Sequence, residues 1–95
     1  MDLYSAAALM SLSTSEVLSI EYSVNYSVWL QVFVLSMFLQ IEEAFVENML
    51  DDLLEENVIQ PEMMDQSQEV AVEMLTHYSN KVRSRDIRQV KTYTE

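Results

Sequence analysis

The side chains best suited to chemistry in this chain form a row of carboxylates near its middle. Paired carboxylates can transfer protons or hold a divalent metal. In this row the carboxylates recur every four residues with no histidine or glycine-bearing loop beside them, which is typical of a solvated helix face. We therefore expect no catalytic pair, no metal site and no enzyme activity. The predicted acidic face comprises Glu43, Glu47, Asp51, Asp52, Glu55 and Glu56.

Histidine and cysteine add little further chemistry. His77 is the only histidine, so a multi-histidine metal site or a His-based triad would need residues from another subunit. The chain has no cysteine, which excludes disulfides and thiolate chemistry. We expect no cofactor.

The acidic row belongs to a stretch from Tyr26 to Asn57 that we predict to be one long central helix. Its second half repeats apolar residues at the i, i+3, i+4, i+7 spacing of a helix face, from Phe38 to Leu54. Its first half, residues 28–39, is apolar on all sides except at Gln31 and Ser36. A helix that is apolar all round must be buried all round, so we expect this half to sit inside an assembly. The predicted partner-binding residues are Trp29, Val32, Phe33, Met37, Phe38, Phe45, Met49 and Leu53.

Two patterns conflict in the segment before this helix. Residues 13–16 read Ser-Thr-Ser-Glu, a capping box that predicts a helix start. Residues 18–28 alternate apolar and polar side chains, which indicates a β-strand. No other segment alternates as well, so a strand here would have to pair between subunits. We prefer the helix and leave the N-terminal strand open.

The chain after the central helix is predicted from its few turn-forming residues. Asn57 is the best left-handed helix terminator in a chain without glycine. Pro61 then breaks the helix and can start the next one, which we expect from Glu62 to Asn80 with a polar start at 66–68 that frays. The expected single helical domain has three parts: an N-terminal arm at 1–12, a helical body at 13–80 and a basic, mobile tail at 81–95.

Charge and composition limit the classes of partner. Hydrophobic residues make up 49% of the 95 residues, more than one small monomer readily hides. Residues 1–80 hold fourteen acids and neither lysine nor arginine, so we expect no direct nucleic-acid binding. A protein partner, or a second copy of the chain, is expected instead.

Membrane insertion is the third possibility. Residues 24–41 form an uncharged run of eighteen, at the lower limit for a spanning helix, but no base flanks either end. Asp2 stands where a signal peptide would carry bases, and we expect an intracellular protein.

One family resemblance is carried by residues 44–56, Ala-Phe-Val-Glu-Asn-Met-Leu-Asp-Asp-Leu-Leu-Glu-Glu. This segment resembles the latter half of the long helix of transcription-factor histone-fold subunits. Residues 58–61 and the helix after them are similar to that family's loop and third helix, so the resemblance spans about 14–79. The family's basic DNA-contacting loop residues are missing here. The resemblance implies obligate dimerisation without DNA contact.

Taken together, the sequence predicts a mainly α-helical protein with a short helix, a long central helix and a third helix. It is expected to form a dimer or larger species and to act as a protein-interaction module through an apolar helix surface. One alternative is an acidic inhibitor that mimics a nucleic acid and occupies a basic binding protein. The other alternative is a small single-pass membrane protein.

Overall fold

The computed structural model describes the backbone of residues 1–65 and 67–94 and the side chains of residues 1–65 and 67–83. In these residues the chain is helical and contains no β-strand, so the mainly α prediction is confirmed. The elements in order are α1 (Leu3–Ala8), α2 (Thr14–Val24), α3 (Val28–Leu39), α4 (Glu43–Glu55), a 3₁₀ turn (Pro61–Met64) and α5 (Gln68–Thr94).

The N-terminal segments are helical because their first turns are capped. The Ser5 backbone N–H donates to Asp2 Oδ1 at 2.7 Å and starts α1. At the start of α2 the Ser13 N–H donates to Glu16 Oε1 at 3.0 Å and the Glu16 N–H donates to Ser13 Oγ at 3.3 Å. The predicted capping box is therefore present. The strand alternative for 18–28 is wrong, because α2 buries its apolar residues at helical spacing.

The single long central helix is also wrong, because the chain breaks at residues 40–42. Gln40 adopts a left-handed conformation with φ 56°, and the Ile41 N–H donates to the Ser36 carbonyl at 3.1 Å. This 6→1 hydrogen bond is the Schellman arrangement that ends a helix. Residues 28–39 and 43–55 are consequently two separate helices, α3 and α4.

Three helix ends share this left-handed geometry although the chain has no glycine. The left-handed residues are Ser11 (φ 58°), Gln40 (φ 56°) and Asn57 (φ 60°). After each one, the next N–H donates to the carbonyl five residues back, at 3.0–3.1 Å. The prediction that Asn57 terminates its helix is confirmed.

The core gathers around the first half of α5, which packs against α1, α2, α3, α4 and the 3₁₀ turn. Pro61 begins the 3₁₀ turn rather than a full helix, and α5 starts at Gln68, the last residue of the polar segment 66–68. The buried residues on α5 are Val70, Ala71, Val72, Met74, Leu75 and Ser79. They are joined from α1 by Leu3, Ala6 and Ala7, so the predicted N-terminal arm belongs to the core.

The predicted basic tail begins inside α5. Its backbone continues as helix from Lys81 through Thr94, and Lys81 and Arg83 are exposed. The other bases of the tail lie at 85, 88 and 91, outside the residues whose side chains are described.

Replacing Gln40 by glycine tests the left-handed end of α3. We expect Gln40→Gly to raise the free energy of unfolding by about 0.5 kcal/mol. Glycine removes the steric cost of a Cβ atom in the left-handed conformation, which is about 1 kcal/mol. The greater conformational entropy of glycine in the unfolded state offsets only part of this gain. The measurement is urea unfolding followed by circular dichroism. The matched control is Asn48→Gly at an exposed position inside α4, which should lower stability by about 0.5 kcal/mol. Equal losses in the two variants would contradict the assigned backbone.

Replacing Leu53 tests which face of α4 is buried. Leu53 is 2% exposed, so Leu53→Asp places an unpaired carboxylate in the core and should abolish folding, at a cost above about 4 kcal/mol. Asp51→Ala on the exposed face should change stability by less than about 0.5 kcal/mol. Equal changes in melting temperature for the two variants would contradict the assignment of the buried and exposed faces of α4.

Candidate protein-docking face

Helix α3 is apolar on every side but buries only one of them. Its buried side includes Val32 and Leu35, which face the other helices of the core. The opposite side presents Trp29, Phe33 and Met37, which are 63%, 49% and 52% exposed. These three residues recur every four positions and therefore form one ridge along the helix. The prediction that this segment is buried all round does not hold within one copy of the chain.

Helix α2 extends this apolar surface across the turn that joins it to α3. Leu18 and Tyr22, one helical turn apart, are both more than half exposed. The Tyr22 ring packs against the ring of Tyr26, with centroids 4.9 Å apart. Their hydroxyl groups are hydrogen-bonded at 2.6 Å. The two tyrosines thus connect the exposed side of α2 to the start of the α3 ridge.

A groove of about 440 Å³ runs between the two helices. Its walls are mostly apolar, and Met37 contributes both to the groove and to the ridge. The residues that line it are Leu18, Ser19, Tyr22, Ser23, Leu30, Val34, Met37 and Phe38. We use the name docking face for this groove together with the exposed side chains of Leu18, Tyr22, Tyr26, Trp29, Phe33 and Met37.

The docking face carries no charge at neutral pH. Residues 22–41 contain no acidic or basic side chain. The hydrogen bond between the two hydroxyl groups, together with the electrostatic effect of Tyr22, raises the pKa of Tyr26 above its ordinary value of 10.0. The raised pKa favours the protonated, neutral hydroxyl of Tyr26.

The residues that sequence reasoning assigned to partner binding lie in three different places. Trp29, Phe33 and Met37 form the exposed ridge, and the half-buried Phe38 lines the groove. Three others are core residues: Val32, Met49 and Leu53. Val32 is 2% exposed, so Val32→Glu should unfold the chain rather than separate an oligomer.

Phe45 is the last of the predicted partner-binding residues. It lies outside the docking face and outside the buried side of α4. Its side chain is 42% exposed, although it shares the predicted apolar face with the buried Met49 and Leu53. It contacts the edge of Tyr78 with ring centroids 6.1 Å apart, and Lys81 Nζ lies 5.4 Å from its ring centre. Phe45 therefore covers the junction of α4 and α5.

The six carboxylates of the predicted acidic face, Glu43 to Glu56, are all exposed on or beside α4. His77 is half-buried on α5, away from this row in sequence. Among the described residues, no group of three potential ligands is placed to hold a metal ion.

Sequence reasoning missed Leu18, Tyr22 and Tyr26 as surface residues. They belong to the alternating segment that also suggested a strand. Once the capping box makes residues 14–24 a helix, Val17, Ile20 and Val24 mark its buried side. Leu18 and Tyr22 then lie outside that buried side, so helical spacing in this segment predicts that both are exposed.

No helix in the described part of the chain combines the length and the apolar character that crossing a bilayer requires. No protein-family model, curated protein or solved structure matches this chain. The resemblance to histone-fold subunits stays a prediction, now carried by two helices, α3 and α4, where that family has one.

A double-mutant cycle measures the contact between Phe45 and Lys81. We expect Phe45→Leu and Lys81→Gln to be coupled by about 0.5 kcal/mol, the usual size of an exposed cation–π contact. The free energies come from chemical unfolding of both single variants and the double variant. Arg83→Gln, also exposed on α5, is the control and should show no coupling to Phe45→Leu. Additive losses in the first cycle would exclude the contact.

Proposed function

We propose that this protein is a protein-interaction module that binds its partner through the docking face on α2 and α3. The proposal covers both a second copy of the chain and a different protein, in a homo-oligomer or a hetero-complex. The binding mechanism is burial of apolar surface, which contributes about 25 cal/mol for each Å² removed from water.

The observation that carries the proposal is the size and continuity of the exposed apolar surface. The six exposed side chains of the docking face present on the order of 600 Å² together, since one aromatic side chain carries about 150–250 Å². The largest apolar patch on a soluble monomer is about 300–600 Å² and is often functional. Tyrosine and tryptophan are also the side chains most enriched where binding energy concentrates.

A second candidate function rests on the exposed carboxylates of α4. With fourteen acids and neither lysine nor arginine in residues 1–80, the body of the chain could occupy the basic groove of a nucleic-acid-binding protein. Such a complex would weaken steeply as salt rises. A complex held by the docking face would persist in high salt, because apolar burial drives it.

Site-specific photo-crosslinking tests the proposed function. A photo-reactive aromatic amino acid is placed at position 33 and, as a matched control, at position 4. Phe33 on the docking face and Tyr4 on α1 are equally exposed, at 49% and 50%. In the cells that make the protein, we expect protein adducts from position 33 at several times the yield from position 4. Equal yields from the two positions would refute the docking face as the binding surface.

A further inference from the structure

We propose that the partner of the docking face is a second copy of this chain, and that the two faces meet across a two-fold axis. This inference rests on the proposed function and identifies the partner. Three properties of the described surface support it: the distribution of charge, the apolar area and the shape of the face.

The charge distribution favours contact between two copies through the docking face over contact through α4. The exposed side of α4 carries acidic residues from Glu43 to Glu55, and α5 begins with Glu69 and Glu73. Contact between two copies through their α4 helices would oppose like charges, which is unfavourable. Residues 22–41 carry no charge, so contact through the α3 ridge opposes no carboxylates at its centre.

The area of the face is close to what a stable dimer requires from each copy. Its exposed side chains present on the order of 600 Å², and a standard interface buries about 800 Å² per partner. Half-buried residues of the groove, Leu30 and Phe38, lie at its edge and add to the surface that a partner can cover. Homodimer interfaces are also the more apolar class, as this face is.

The shape of the face is suited to a copy of itself. Trp29 and Phe33 project as a ridge directly beside the groove between α2 and α3. A two-fold axis requires one patch to be complementary to itself. Rotation about an axis near Met37, which belongs to both features, would place the ridge of each copy against the groove of the other.

This arrangement has an unusual dependence on salt. Each copy carries a formal charge of −11, so the two bodies repel one another while their apolar faces attract. Added salt screens the repulsion and leaves the apolar contact in place. Self-association should therefore strengthen as salt rises, in contrast to the binding of a basic partner.

The test is sedimentation velocity of the full purified chain, with acrylamide quenching of Trp29, the only tryptophan, as a local probe. At about 100 μM we expect a dimer in which Trp29 is shielded, and a dissociation constant that falls about fivefold between ~50 mM and ~500 mM NaCl. Phe33→Glu should weaken the dimer at least tenfold, because it opposes two carboxylates at the centre of the interface. Circular dichroism should show unchanged helicity, since Phe33 is half exposed.

Two further variants keep the test decisive. Trp29→Gln introduces no charge and should also weaken the dimer, which covers the case in which Phe33→Glu fails to fold. Tyr4→Glu adds the same charge at an equally exposed position on α1 and should change the dissociation constant by less than about twofold.

The other outcomes separate this inference from the proposed function. A folded monomer with Trp29 open to the quencher would overturn the second copy as partner and leave the face free for another protein. A dimer disrupted by Tyr4→Glu but not by Phe33→Glu would place the contact elsewhere and overturn the inference. A monomer with Trp29 shielded would mean that the chain covers its own face, and both proposals would fail.

Discussion

The packing of the first half of α5 holds this small protein together. Val70, Ala71, Met74 and Leu75 form its buried row, and α1, α2, α3 and α4 all contact this helix. Ala71 on α5 and Ala6 and Ala7 on α1 are buried in the same core, and α1 packs against α5. α5 occupies one side of α3, and α2 and α4 pack beside it, so none of the described side chains covers the Trp29–Met37 ridge. The arrangement that builds the core is thus the same one that exposes the docking face.

Much of the fold could be predicted from local chemistry, and the failures have physical causes. The capping box at Ser13 and the left-handed Asn57 depend on neighbouring residues alone, so the local sequence is enough to predict them. The end of α3 at Gln40 was missed because neither glycine, asparagine nor proline marks it, and the apolar spacing continues from Phe38 through Ile41 across the break. A left-handed glutamine costs only about 1 kcal/mol, which tertiary packing can offset.

The candidate site was predictable in part for a related reason. A helix that is apolar all round has no periodicity, so the sequence could not distinguish the exposed Phe33 from the buried Val32. On α4 the periodicity identified one apolar face, but it could not show that Met49 and Leu53 pack in the core of a single copy while Phe45 is 42% exposed. Charge was more informative, because the uncharged run at 22–41 holds every residue of the docking face except Leu18 and Ser19, and the acidic row coincides with the exposed side of α4.

The contact between α1 and α5 has a consequence for how the chain folds during synthesis. It joins residues near the N-terminus to a helix that begins at Gln68, so a loop of about sixty residues must close before it forms. A ribosome adds about 5–20 residues each second, and until α5 emerges the buried sides of α1, α2 and α3 have nothing to pack against. The nascent chain therefore passes through a stage of seconds in which the uncharged stretch 22–41 exposes its core-facing side as well as its docking face. Within the growing chain, the carboxylates of α4 are the groups best placed to keep that intermediate from aggregating.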